Sequence, residues 1–215
     1  MMSTLVHMAV IVRKLDNAQF ERIIIKEVVQ LREIFRKYKH ELRIVGGAVR
    51  DLLRDVEPRD IDFATTANIY EMKNMFYKES IYMINLKGEK HGTVTVHMNN
   101  KNFEITTLRI KKRLEDATDP SMWQADASKR DLTVNAMFLD FNGSLYDYFN
   151  GYNHLLEKRV LCCRFVCELM LEMIECDIPQ YCGLIEKANV DEFKRACSAE
   201  KPNQILIRYR WWSPC

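Results

Sequence analysis

Glycine and proline are scarce, with seven and five in 215 residues, which excludes a collagen-like or Pro/Gly-rich low-complexity chain. Long apolar runs are absent too. A membrane-crossing helix needs roughly 18–20 apolar residues, and the run at 8–12 is at once followed by Arg13 and Lys14, so no membrane partner is expected. Charge of one sign is likewise lacking: 32 basic and 30 acidic side chains leave a formal charge of +2, so any basic surface for nucleic acid has to be local. Cysteine is missing from the first 161 residues. All seven lie beyond them, at Cys162, Cys163, Cys167, Cys176, Cys182, Cys197 and Cys215. An odd count without a secretory signal argues for reduced thiols, and the lack of a paired C-x-x-C argues against a zinc site.

What is present is a globular composition, 47% hydrophobic and 29% charged, sufficient for one main core. Residues 1–15 carry two basic and no acidic side chains but lack the Arg and Ser richness of a mitochondrial presequence. Mitochondrial and cytoplasmic or nuclear locations therefore both stay open. Apolar residues recur at helical spacing from Phe20 to Tyr38. A strand over 42–45, a Gly46-Gly47 turn and a helix from Ala48 follow, then a strand over 60–65 and a helix over 69–77. Residues 93–98 and 103–108 read as a hairpin turning at Asn99-Asn100-Lys101. The polar stretch 109–128 has no clear period and reads as a long loop; 129–138 looks helical, and 145–149 is a last strand that Gly151 ends. These elements predict an α+β fold, a small mixed sheet flanked by helices, followed by a short, atypical helical C-terminal segment. The expected division is an N-terminal extension at 1–19, a head domain at 20–160 and an atypical remainder at 161–215.

Asp60 and Asp62, two apart on a strand, point to one side about 7 Å apart, a spacing suited to a shared divalent cation. Oxygen-only ligands of this kind favour magnesium; D-x-D alone is also a common solvated strand face. Glu104, on the second hairpin strand, offers a third carboxylate or else a partner for a nearby lysine. Three such carboxylates would hold two metal ions against a nucleoside triphosphate. Gly46-Gly47 at a strand-to-helix turn lets backbone amides approach phosphate, and Arg50 one turn later is a bidentate phosphate donor. The plainer alternatives are a tight turn and a salt bridge from Arg50 to Asp51 or Glu57. Arg130, Asp131 and Asn135 are expected on one helix, Asp131 and Asn135 on a common face, where they would grip a triphosphate and hydrogen-bond a sugar or base. Asp131 is also placed to cap the turn before Thr133.

In order, the segments Arg43-Ile44-Val45-Gly46-Gly47-Ala48-Val49-Arg50-Asp51, Asp60-Ile61-Asp62-Phe63, Glu89-Lys90-His91-Gly92-Thr93, Phe103-Glu104-Ile105-Thr106, Lys129-Arg130-Asp131-Leu132-Thr133-Val134-Asn135-Ala136 and Asp147-Tyr148-Phe149-Asn150-Gly151 resemble the head of class II CCA-adding enzymes. Their poly(A) polymerase relatives share this polymerase β-like nucleotidyltransferase head. The resemblance covers roughly residues 20–160. It implies magnesium binding by Asp60 and Asp62, nucleotide contacts by Gly47, Arg50 and Arg130 with Asp131 nearby, and Lys90 and His91 near an active-site loop. It also implies tRNA as partner and CTP and ATP as substrates. The family follows its head with a neck helix carrying Glu-Asp-x-x-Arg, which selects cytosine or adenine; no such motif follows Val160, and Glu115-Asp116 is followed by Asp119 where the arginine should stand. The resemblance therefore implies weak or unselective catalysis. A non-catalytic tRNA- or nucleotide-binding form and a poly(A) polymerase-like enzyme are the competing readings.

Overall fold

A computed structural model describes residues 11–84, 86–110, 120–157, 159–160 and 207–208. The expected helical segment in 161–215, all seven cysteines and Glu115-Asp116 thus lie outside the described residues, apart from one short strand at Ile207–Arg208.

The centre is a mixed eight-stranded sheet in the order β1-β8-β7-β2-β3-β6-β5-β4. Its strands are β1 (Ile11–Lys14), β2 (Leu42–Val45), β3 (Asp62–Thr65), β4 (Tyr82–Ile84), β5 (Thr93–Met98), β6 (Lys101–Thr107), β7 (Met137–Leu139) and β8 (Ser144–Asp147). Only β3 and β6 run parallel; every other pairing in the sheet is antiparallel. β9 (Arg159–Val160) pairs separately with β10 (Ile207–Arg208). The architecture is α+β, and no helix among the described residues is long and apolar enough to cross a membrane.

Alternation along the strands divides the apolar residues between two faces. Ile44, Phe63, Phe103 and Ile105 enter a core covered by α1 (Ala18–Ile23), α2 (Lys26–Lys37), α3 (Gly47–Leu53) and α4 (Ile69–Lys78). Their neighbours Val45 and Ala64 face a second core, closed by Met122, Trp123 and Ala127 of α5 (Pro120–Ala127). α4 is held at its start by a reciprocal cap: Asn68 Oδ1 accepts from the Glu71 amide at 2.8 Å, and Glu71 Oε2 accepts from the Asn68 amide at 2.7 Å. The β5–β6 turn contains only Asn99 and Asn100, both with positive φ (46° and 63°), and Lys101 already pairs with Met98.

Five features differ from the sequence expectation. The sheet starts inside the stretch assigned to an N-terminal extension, because Ile11–Lys14 pairs along β8. The helical run at 20–38 is broken into α1 and α2 at Ile24 and Ile25, where three consecutive β-branched isoleucines weaken helix propensity. The long loop at 109–128 contains α5, with Pro120 at its first position. Residues 129–138 are not a helix: a single 3-10 turn at Thr133–Asn135 leads straight into β7, where pairing with β2 and β8 overrides local helical preference. Gly151 ends no strand; it begins α6 (Gly151–Leu156), whose first amides are capped by the buried Asp147 carboxylate.

Candidate active site

One row of cross-strand partners organises the site. Tyr146 on β8 lies opposite Phe138 on β7, Phe138 opposite Val45 on β2, Val45 opposite Asp62 on β3, Asp62 opposite Glu104 on β6, and Glu104 opposite Thr95 on β5. Directly opposed residues share a face. The row therefore runs from the apolar side chains of the second core into two adjacent carboxylates, both solvent-exposed. Asp60 lies just before β3, not on it, and is also exposed.

The carboxylates feel one another. Asp62 keeps an accessible carboxylate but loses part of its hydration to its neighbours; this partial desolvation raises its pKa first, the negative charges of Glu104 and then Asp60 raise it further, and the positive charge of Arg130 opposes them. Asp60, Asp62 and Glu104 are thus brought together as the sequence suggested, although among the described residues no three His, Cys, Asp or Glu side chains are gathered tightly enough to form a preset metal cluster. The donor set fits a hard divalent cation: oxygen only, accessible, and burdened with like charge that a cation would relieve.

The turn after β2 brings a cation to this edge. Gly46 has φ 75° and ψ −139°, a conformation essentially reserved for glycine, and it redirects the chain from strand to α3. A Cβ on Gly47 would sit 3.4 Å from Arg50 Nη2, so the guanidinium folds back over the turn. Arg50 donates from Nε to Asp51 Oδ1 at 3.0 Å and from Nη1 to Asn135 Oδ1 at 3.0 Å. The salt bridge to Asp51 foreseen as a plain alternative is present, yet the same guanidinium also reaches 85 residues along the chain. Asn135 Nδ2 in turn lies 3.4 Å from Asp131 Oδ1. Asp131 also accepts from the adjacent Leu132 amide at 2.7 Å, but the N-cap of the 3-10 turn is Leu132 and no side chain caps it. Arg50, Asn135 and Asp131 therefore form one hydrogen-bonded chain without the common helix expected of them.

Arg130 stands apart from that chain. Its Cζ lies 5.2 Å from the centroid of the Phe138 ring, a member of the row that includes Asp62. Two strand spacings separate Phe138 from Asp62, about 10 Å. Its Nε and Nη2 both donate to Asp126 Oδ2, each at 2.9 Å. Asp126 is a site neighbour missed by sequence reasoning; its separation of four from Arg130 was the available signal. Arg43 on β2 was also unmarked. It is buried between the rings of Trp123 (4.0 Å) and Tyr146 (3.9 Å) and donates to Glu41 at 2.7 Å, fixing α5 against the sheet behind the site. Lys90 and His91 are exposed at the end of a 3-10 turn, Leu86–His91, that leads into β5.

The chain is 52% identical over 160 residues to the Mus musculus protein named CCA tRNA nucleotidyltransferase 1, mitochondrial, a match covering 71% of this chain and 36% of that relative. It is 36% identical over 146 residues to the CCA-adding enzyme of Bacillus licheniformis, covering 65% of this chain and 35% of the relative. Among solved structures it is similar to the Bacillus stearothermophilus CCA-adding enzyme in complex with CTP, with a TM-score of 0.58 and 26% identity over 73% of this chain and 36% of that one. The chain thus spans little more than a third of the length of these relatives. The Poly A polymerase head domain matches residues 42–162, more than half of the sequence and the whole of the site, and the chain belongs to that family.

Proposed function

We propose that this chain is a tRNA nucleotidyltransferase head of the CCA-adding type, which transfers cytidylate and adenylate from CTP and ATP to a tRNA 3′-end with magnesium. The observation that carries the reading is the Asp62–Glu104 pair in register on parallel strands, with Asp60 beside it and the positive charge of Arg130 acting on Asp62. The relatives' names and the CTP complex of the structural neighbour support the choice of substrates. The names of the vertebrate relatives support a mitochondrial location. The head is taken as 20–160, with β1 completing its sheet.

Asp60 and Asp62 would hold the magnesium, and Glu104 would share its charge; when bound, the metal activates the RNA hydroxyl and stabilises the departing pyrophosphate. The protein's own part is positioning and charge. Gly46 and Gly47 keep side chains away from the turn, so the triphosphate approaches backbone there. Arg50 and Arg130 supply positive charge on either side of β2, and each is held by a carboxylate partner that fixes its orientation. Asn135 and Asp131 present an amide and a carboxylate to a ribose or base edge.

Purified protein given tRNA that ends just before CCA, labelled CTP or ATP, and magnesium should incorporate label. A correctly folded protein that binds nucleotide but never incorporates it would favour a binding role. Long adenosine tails from ATP alone would favour a poly(A) polymerase-like activity.

A further inference from the structure

Asp126 is 1% exposed, and each of its carboxylate oxygens is committed. Oδ2 accepts both Nε and Nη2 of Arg130, and Oδ1 accepts the amide of Arg109 at 2.8 Å. Arg109 follows β6, the strand that bears Glu104, and marks the start of the stretch leading to α5. The two ends of that stretch are tied again, since Lys129 Nζ donates to the Arg109 carbonyl and Arg109 Nη1 lies 3.5 Å from the Lys129 carbonyl. One buried carboxylate thus joins the outlet of the Glu104 strand, α5 and the arginine whose positive charge acts on Asp62.

Stability alone does not account for such a group. Burying a carboxylate against a guanidinium costs desolvation that the pairing at best roughly offsets, and apolar residues of similar size would hold α5 as well or better. The pair does fix direction: two donors on one oxygen set the plane of the guanidinium over Phe138. We propose that Asp126 is a positioning residue for nucleotide binding, acting through Arg130 by holding its guanidinium over Phe138, in the cross-strand row that includes Asp62. This rests on the nucleotidyltransferase reading of the site.

Asp126→Asn is nearly isosteric and keeps an acceptor for the Arg109 amide while removing the charge that orients Arg130. It should raise the dissociation constant for magnesium-CTP and magnesium-ATP, measured directly by titration, by about tenfold. KM in tRNA extension should rise in parallel, with a smaller change in kcat. In an Arg130→Gln background the same substitution should change nucleotide affinity by less than about twofold, since its effect runs through that arginine. Equal losses in the two backgrounds, or unchanged affinity in a folded Asp126→Asn protein, would overturn the proposal. Should Asp126→Asn fail to fold, Asp126→Glu keeps the charge but displaces it, and unaltered nucleotide affinity in that variant would equally overturn it. If the wild-type chain binds neither nucleotide, the site reading fails and this proposal with it; if it binds both while the variant binds as well, this proposal alone fails.

Discussion

Replacing Gly151 by alanine perturbs the site from behind without touching a proposed ligand. Gly151 opens α6, its amide donating to Asp147 Oδ1 at 2.9 Å, and it packs on the 3-10 turn that carries Asn135. Its φ is not in the left-handed region, so the cost of alanine is steric and not torsional. A Cβ there would lie 2.2 Å from the Thr133 carbonyl oxygen and 2.8 Å from its carbon, where real Cβ contacts essentially never fall below 3.0 Å. The Thr133 carbonyl must therefore retreat by about 0.8 Å in a close-packed region. That carbonyl accepts the Ala136 amide at 3.1 Å, and Asn135 between them holds Arg50. Overpacking of this kind costs roughly 1–3 kcal/mol. For a chain of this size each kcal/mol lowers Tm by roughly 2–4 °C, so the melting point should drop by roughly 2–12 °C. Calorimetric melting reads the first effect, and the rise of Tm with added magnesium-CTP reads the second, which should shrink as Asn135 and Arg50 move. A Gly151→Ala protein with unchanged Tm and undiminished stabilisation by nucleotide would refute the packing argument.

Asp62 gives a pH signature. Its pKa is raised by burial and by Glu104 and Asp60, so its charged form is disfavoured in the folded state. Its contribution is fully present below the ordinary Asp value and is lost as pH rises through the elevated one. Asp62→Asn should flatten that fall in denaturant-melt stability across the window between the two values, while an unaltered slope would contradict the assignment. Glu104→Gln should lower the Asp62 pKa, as followed by carboxyl NMR titration. At the far side of the domain, Asn68→Ala removes the cap of α4 and should cost about 1 kcal/mol in urea melts, leaving stabilisation by nucleotide unchanged.

Much of the candidate site was legible because its residues are close in sequence or carried by strong local signals. The run through β2, Gly46-Gly47 and β3, and the β5–β6 hairpin, follow from alternation and turn chemistry. The adjacency of Asp62 and Glu104 required a parallel pairing of strands 42 residues apart in register, which local pattern does not encode. Elements shaped by their neighbours were harder to read. β7 has only three residues, and its strand state comes from lying between β2 and β8. β1, four residues long, gains definition only from β8. α5 has a weak apolar period, because it packs through Trp123 and Met122 while burying the charged Asp126, so the stretch read as loop. Arg43 was passed over because its ring partners come from β8 and the unrecognised α5, and Asp126 because the stretch before Arg130 read as a loop, where a separation of four carries no helical meaning.

The central claim is that the carboxylates Asp60 and Asp62, just before and at the start of β3, serve phosphoryl transfer. Its most direct test is nucleotide incorporation into tRNA lacking CCA, comparing the wild-type chain with Asp60→Ala/Asp62→Ala at matched folding. Loss of the charge that holds the metal should reduce incorporation by at least about a thousandfold. Incorporation by the double variant at a rate near that of the wild type would contradict the account.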